Sequence, residues 1–251
     1  MNRRFLDTGA RHPHFNMALD EALLEAHAPG ELTLRLYAWK PWALSLGYFQ
    51  PAEQADPGFL AANELVLTRR VTGGGAIVHA DELTYSMTAD ASRRPGSSRR
   101  LYALMNEAIA RALRRFGIDA AERGTGSKAE GDAFMCFERH ADFDLAVRGR
   151  KISGSAQRRK GGAILQHGSI LLGPPPVPPG PENAPDSLFT SASAEAGRPV
   201  SYEEAAGALF EEAAASFGGP FEKEQVPEAV ERRARELEAG KYGREEWIRR
   251  A

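Results

Sequence analysis

At 251 residues, 42% hydrophobic and 26% charged, the chain has the make-up of a globular protein large enough to bury a sizeable core. A formal net charge of −2 supplies no global attraction to nucleic acid or anionic membrane, and no apolar run approaches the roughly 18 residues of a membrane span. The single cysteine, Cys136, excludes an internal disulfide framework and any multi-cysteine zinc site.

In chain order, Met1 to Asp7 carries two arginines with no long apolar run behind them, which predicts no signal peptide and a cytoplasmic location. Asn16 is placed to cap a helix from Met17 to about His27, with Ala18, Ala22, Ala26, Leu19 and Leu23 on its apolar face and Asp20 and Glu21 in its first turn. Strand-like runs follow at 32–39, 43–49, 65–71, 76–79 and 83–88. Leu101, Leu104, Met105, Ala108, Ile109, Ala112, Leu113 and Phe116 then recur at helical spacing, with Gly117 where a left-handed C-terminal residue belongs. That face predicts core packing.

Strands return at 142–147 and in a hairpin from Lys151 to Leu172 that turns at Gly161-Gly162. Seven prolines between 173 and 186 favour an extended spacer. Ser201 and Glu204 form a capping box for a helix over 201–217, ended by Gly218-Gly219-Pro220. Pro227 opens a last helix over 227–240, with Gly240 as its stop. The pattern predicts a single α+β domain over 1–251, with central mixed sheets flanked by helices.

Two segments stand out chemically. In Arg70-Val71-Thr72-Gly73-Gly74-Gly75 a cation precedes a glycine run whose backbone N–H groups can approach a ligand closely. The run also reads as a plain hairpin turn, and no Gly-Lys-Ser/Thr follows to make it a nucleotide P-loop. In Lys151-Ile152-Ser153-Gly154-Ser155-Ala156 a lysine meets small residues at the head of a hairpin, which carries an amine into an apolar slot. A lysine in the basic run Arg148, Arg150, Lys151 is otherwise a solvated side chain, and Cys136 between Met135 and Phe137 is otherwise an apolar filler. No Gly-x-Ser-x-Gly elbow supports a serine triad.

These segments, with Phe15 to Leu23, Leu46 to Gln50, Lys241-Tyr242 and Trp247, resemble the lipoate-protein ligase and octanoyltransferase superfamily across the whole chain except for about Gly173 to Pro199. The resemblance implies the biotin/lipoate protein ligase fold. Cys136-Phe137 ahead of Lys151 to Gln157 is similar to the cysteine-dependent octanoyl-[acyl-carrier-protein]:protein octanoyltransferases. It implies Cys136 as nucleophile and Lys151 as the cation that holds the thiolate and polarises the acyl carbonyl, with backbone N–H groups of a turn over 153–156 as oxyanion donors.

It further implies an acyl pocket lined by Gly73, Gly74, Gly75, Ser153, Gly154, Ser155, Ala156, His167 and Gly168. Arg70 is expected to contact the carrier or its pantetheine phosphate. His79 matches the histidine of the family's His-Asp pair, but Ala80 follows it and the acid becomes Asp81. Gly75 is the form associated with the ligases, and Cys136 outweighs it because it supplies the reactive atom.

The implied reaction moves octanoyl from octanoyl-acyl carrier protein to a lysine of glycine cleavage H protein or a lipoyl domain. It needs no cofactor, no metal, no nucleic acid and no membrane. An ATP-dependent lipoate-protein ligase using ATP and Mg²⁺, with Cys136 inert, is the alternative. A silent carrier-binding module is the third reading, requiring a buried Cys136 and Lys151 salt-bridged to a structural acid such as Asp144.

Overall fold

The computed structural model describes residues 2–91, 97–123, 135, 143–176 and 188–250. Cys136, most of the proline segment and Asp142 lie outside these residues.

Eleven strands and seven α-helices are defined among the described residues. The strands are β1 (Asn2–Arg11), β2 (Glu31–Trp39), β3 (Ala43–Leu46), β4 (Val66–Arg69), β5 (Ile77–His79), β6 (Glu82–Asp90), β7 (Ala121–Glu122), β8 (Leu145–Val147), β9 (Arg150–Lys160), β10 (Ala163–Leu171) and β11 (Glu222–Lys223). The helices are α1 (Pro13–Glu25), α2 (Pro57–Ala62), α3 (Ser97–Arg114), α4 (Ala192–Ala196), α5 (Tyr202–Ser216), α6 (Glu228–Leu237) and α7 (Glu245–Ile248). No helix among the described residues is long and apolar enough to cross a membrane.

The main sheet runs β11-β1-β2-β6-β10-β9-β8-β7 and a second runs β4-β3-β5. The α+β architecture with a mixed sheet is therefore present, since β1 is parallel to β2 and β11 while β2, β6, β10 and β9 pair antiparallel.

Strand side chains alternate between faces, and here both faces are covered. Leu34, Leu36, Leu83, Tyr85, Met87 and Ile164 pack with α3 and α5 in one core. Tyr37, Trp39 and Leu165 pack with α1 and α6 in another. The polar rows Arg35-Tyr37-Trp39 and Glu82-Thr84-Ser86 lie on the second side, under α1, and are buried. An alternating polar row normally faces water; here it faces the site.

Several expected boundaries shift. Helix α1 begins at Pro13, with His12 as N-cap accepting from the His14 N–H, so Asn16 is not a cap. Asn16 is buried inside the helix and donates to the Ala38 carbonyl at 2.9 Å, and Asp20 and Glu21 sit buried past the first turn. Proline at N1 and a histidine cap displaced the expected start.

The expected runs over 43–49, 65–71 and 142–147 shorten to β3, β4 and β8, and β1, β7, β11, α2, α4 and α7 are additional elements. The last helix does not stop at Gly240: a π-helical turn carries it through Glu238–Tyr242, and Tyr242 is buried with its hydroxyl on Glu21 at 2.7 Å. That tertiary contact overrides the glycine stop signal. The Ser201–Glu204 capping box and the left-handed Gly117, Gly161 and Gly162 stand as expected.

Candidate functional site

A cavity of ≈190 Å³ opens between the glycine run after β4 and the β9–β10 hairpin. Its wall includes Arg70, Gly73, Gly74, Gly75, His79, Lys151, Gly154, Ser155, Ala156, His167 and Gly168, so the fold gathers these sequence-selected residues around one space. Ser153 is buried beside them but does not line the cavity. Met17, Tyr37, Trp39, Ile77, Thr84, Asp144 and Ser169 line it too. Of these, sequence reasoning named only Asp144; Tyr37, Trp39, Thr84 and Ser169 were missed because alternation on β2, β6 and β10 assigns a face without saying what that face meets, and Met17 on α1 and Ile77 on β5 read as core positions.

The glycine run is not a hairpin turn. Strands β4 and β5 both pair with β3, so residues between them cross from one side of β3 to the other. Arg70 braces this crossing: its guanidinium donates to the Ser45 carbonyl at 2.9 Å, Gly73 carbonyl at 3.0 Å and Gly75 carbonyl at 2.6 Å. Arg70 lines the cavity while three backbone acceptors fix the orientation of its fork. Next door, a Cβ on Gly47 would lie 2.1 Å from the Gly74 carbonyl oxygen, so only glycine permits this approach.

Lys151 is buried, and its Nζ lies 2.8 Å from Asp144 Oδ2, also buried. Its backbone joins a short parallel bridge, with Lys151 N–H donating to the Leu188 carbonyl and Thr190 N–H to the Lys151 carbonyl. Gly154 leaves room for the ammonium: a Cβ there would meet Lys151 Cε at 2.6 Å and Nζ at 2.8 Å. Residues 153–156 are not a turn; they lie within β9 in register with 167–170 of β10. The hairpin turn is at Gly161-Gly162, well beyond them, where β9 ends.

Two histidine–carboxylate pairs flank the cavity. His79 Nδ1 lies 2.7 Å from Glu82 Oε1 and Nε2 lies 2.7 Å from Ser45 Oγ. The acid of this pair is Glu82, not Asp81, because β6 turns alternate residues inward and Glu82 is the inward one. Glu82 also accepts from the Thr84 and Ser169 hydroxyls. Trp39 stacks on the imidazole with centroids 4.0 Å apart and donates its indole N–H to Thr84 Oγ1 at 2.7 Å. A carboxylate can only accept, so Glu82 directs the Nδ1 proton of His79 toward itself.

His167 repeats the arrangement with different residues. Its Nδ1 lies 3.1 Å from Asp20 Oδ2 and its Nε2 lies 2.6 Å from Thr72 Oγ1. Asp20 in turn accepts from Arg35 at 2.7 Å, Tyr37 at 2.9 Å and Ser86 at 2.8 Å. Burial pushes the Asp20 carboxyl up, but Arg35, then His167 and Ser86, hold it below the usual carboxylate range. Burial pushes the His167 imidazole below its ordinary value, against the opposing pull of Asp20.

The unfolded histidine takes up a proton near pH 6.5, whereas folded His167 resists it, so the unfolded state binds more protons and stability falls as pH drops below about 6.5. Denaturant midpoints measured at pH 7.5 and 5.5 are expected to differ less in His167→Gln than in the parent chain. An equal pH slope in the two proteins would show that another group titrates.

Residues 12–213 match the family model described as the lipoyl protein ligase A/B catalytic domain. The chain belongs to this family. It is similar to an octanoyltransferase LipM of Symbiobacterium thermophilum, 37% identical over 267 residues that cover 98% of this chain and 97% of the relative. It is also similar to an octanoyltransferase LipM of Moorella thermoacetica, 44% identical over 176 residues that cover 67% of this chain and 64% of that relative, just under two thirds of its length. Among solved structures, a lipoate-protein ligase A bound with ATP superposes with a TM-score of 0.81 at 26% identity, covering 99% of both chains. The cavity wall thus belongs to a lipoyl ligase-type catalytic domain.

Proposed function

We propose that this chain is an octanoyltransferase of lipoate biosynthesis. Cys136 Sγ attacks the thioester carbonyl of octanoyl-acyl carrier protein; a new thioester forms and the pantetheine thiol leaves with the proton. The ε-amine of a lysine on glycine cleavage H protein or a lipoyl domain then attacks this second thioester. The amide forms, the Cys136 sulfur leaves, and the amine proton passes to solvent or to the released thiolate. Each step exchanges one acyl bond for another, so neither ATP nor a metal is required.

The observation that carries the reading is a buried ammonium, Lys151 Nζ, in the wall of an otherwise largely apolar cavity. Such a cation stabilises a thiolate and the oxyanion of a tetrahedral intermediate, and low dielectric strengthens both effects. Met135, the residue before Cys136, bridges Ala76 directly after the glycine run of that wall. The name carried by the relatives, octanoyltransferase, supports octanoyl transfer among the reactions such a cavity permits.

The Lys151–Asp144 pair meets one requirement of the silent-module reading. It does not exclude catalysis, because Lys151 lines the cavity as well as pairing with Asp144. The ATP-bound structural relative favours the ligase as second reading. Octanoylation of a lipoyl domain from octanoyl-acyl carrier protein, with ATP and Mg²⁺ omitted, is the expected result. Activity only with free lipoate plus ATP would make the ligase reading correct.

A further inference from the structure

We propose that the rim formed by Tyr48, Phe49, Arg158, Trp247 and Arg250 docks an acidic carrier protein, which under the transferase reading is the acyl donor. Two large hydrophobic side chains are exposed among the described residues, and Phe49 is the more exposed, at 82%. It projects from a turn braced by Gln50 and Arg69. Gly47 N–H donates to Gln50 Oε1 at 2.8 Å, and buried Arg69 donates to the Gly47, Tyr48 and Gln50 carbonyls at 2.8, 3.2 and 2.7 Å. A rigid turn that holds an aromatic ring in water loses little conformational freedom when the ring is covered.

The surroundings of Phe49 specify the partner's charge. Tyr48 lies edge-on to Phe49 at 4.8 Å and carries Arg250 at 4.1 Å and Arg158 at 5.2 Å from its ring. Trp247, 5.8 Å from Tyr48, carries Lys241 at 4.0 Å. Of the carboxylates nearby, Glu21 and Glu25 pair with Lys160 and Glu21 also with Lys241, while Glu53, whose charge acts on Arg69, is exposed. Among the described residues neither Arg158 nor Arg250 forms an ion pair with a carboxylate; Arg158 is exposed, and Arg250 lies half-buried against the Tyr48 and Trp247 rings. Consistently, a hydrogen bond from Arg250 holds the Tyr48 phenol below its ordinary value against the opposing effect of burial, with the charges of Arg250, Arg158 and Lys241 adding to it.

In a chain of net charge −2 this local excess of cations around an apolar knob is not a by-product of composition. It suits an acidic protein surface with an apolar contact at its centre. The rim also adjoins the cavity. Tyr48 N–H donates to the Thr72 carbonyl at 2.8 Å, and Arg158 lies two residues beyond Ala156 of the cavity wall. A carrier seated here can pass a thioester arm into that space.

The test measures binding of fluorescent octanoyl-acyl carrier protein to the full chain, and acyl uptake from that carrier and from octanoyl-pantetheine. Phe49→Ala and Arg250→Glu are each expected to weaken carrier binding about tenfold, to lose salt dependence in the Arg250→Glu case, and to leave uptake from octanoyl-pantetheine unchanged, whereas Arg250→Lys binds like the parent. Parent-like affinity in both Phe49→Ala and Arg250→Glu would overturn the docking surface, as would a parent chain that does not bind the carrier at low salt. A parent that binds the carrier through this rim yet takes up octanoyl from neither donor would overturn the transferase reading and leave the surface standing.

Discussion

Cys136→Ser is expected to reduce octanoyl transfer by about 10³-fold or more, the scale of loss when a covalent nucleophile is removed. The physical reason is acidity. A thiol of ordinary pKa about 8.5 is a few per cent thiolate at neutral pH and becomes more so beside a cation, whereas a serine hydroxyl stays protonated without a general base aligned to it. The replacement changes one atom, so the thermal midpoint should shift by only a few degrees. Intact mass after incubation with octanoyl-acyl carrier protein provides the second readout, since the parent should carry a hydroxylamine-labile octanoyl adduct and the variant none. Equal transfer rates for parent and variant would defeat the thioester mechanism and return the chain to the adenylate route.

Loss of Lys151 is the second large effect. Removing a single preorganised oxyanion donor costs about 10²–10³ in rate. Lys151→Ala also leaves Asp144 buried beside an empty position, and breaking a buried pair from one side costs about 3–5 kcal/mol. Loss of activity in that variant alone therefore does not separate chemistry from folding. The double replacement Lys151→Met with Asp144→Asn removes both charges together and keeps similar volumes.

It is expected to fold with near-parental stability and to remain inactive. Alkylation of Cys136 by iodoacetamide near neutral pH should slow in the double variant, because the ammonium that favours the thiolate is gone. Unchanged alkylation would confine the lysine to the substrate carbonyl. Parent-like transfer would remove it from the mechanism.

Local chemistry made much of the architecture legible. The apolar spacing of Leu101, Met105, Ala108, Ile109 and Ala112 marks α3 because a helix repeats every 3.6 residues. Gly161-Gly162 marks the β9–β10 turn because both residues adopt positive φ. The glycine run and the lysine ahead of small residues were visible as site segments for a similar reason, since close backbone approach and a buried amine each demand particular residue types at adjacent positions.

What tertiary structure decided was partnership. Nothing in Asn16 to Glu21 distinguishes a first helical turn from a buried, ion-paired one until Arg35 of β2 and Lys241 of the π-helical turn arrive opposite Asp20 and Glu21. Adjacency along the chain points His79 toward Asp81, but β-strand alternation gives it Glu82. Arg70 reads as a ligand-facing cation by sequence, and its acceptors, Ser45 and the glycine carbonyls, are chosen only when β3 is laid between β4 and β5. Residue type and spacing set what each segment is able to do, because propensity and turn chemistry are local. Which donor meets which acceptor depends on segments brought together from distant parts of the chain, and burial then requires that those polar groups be paired.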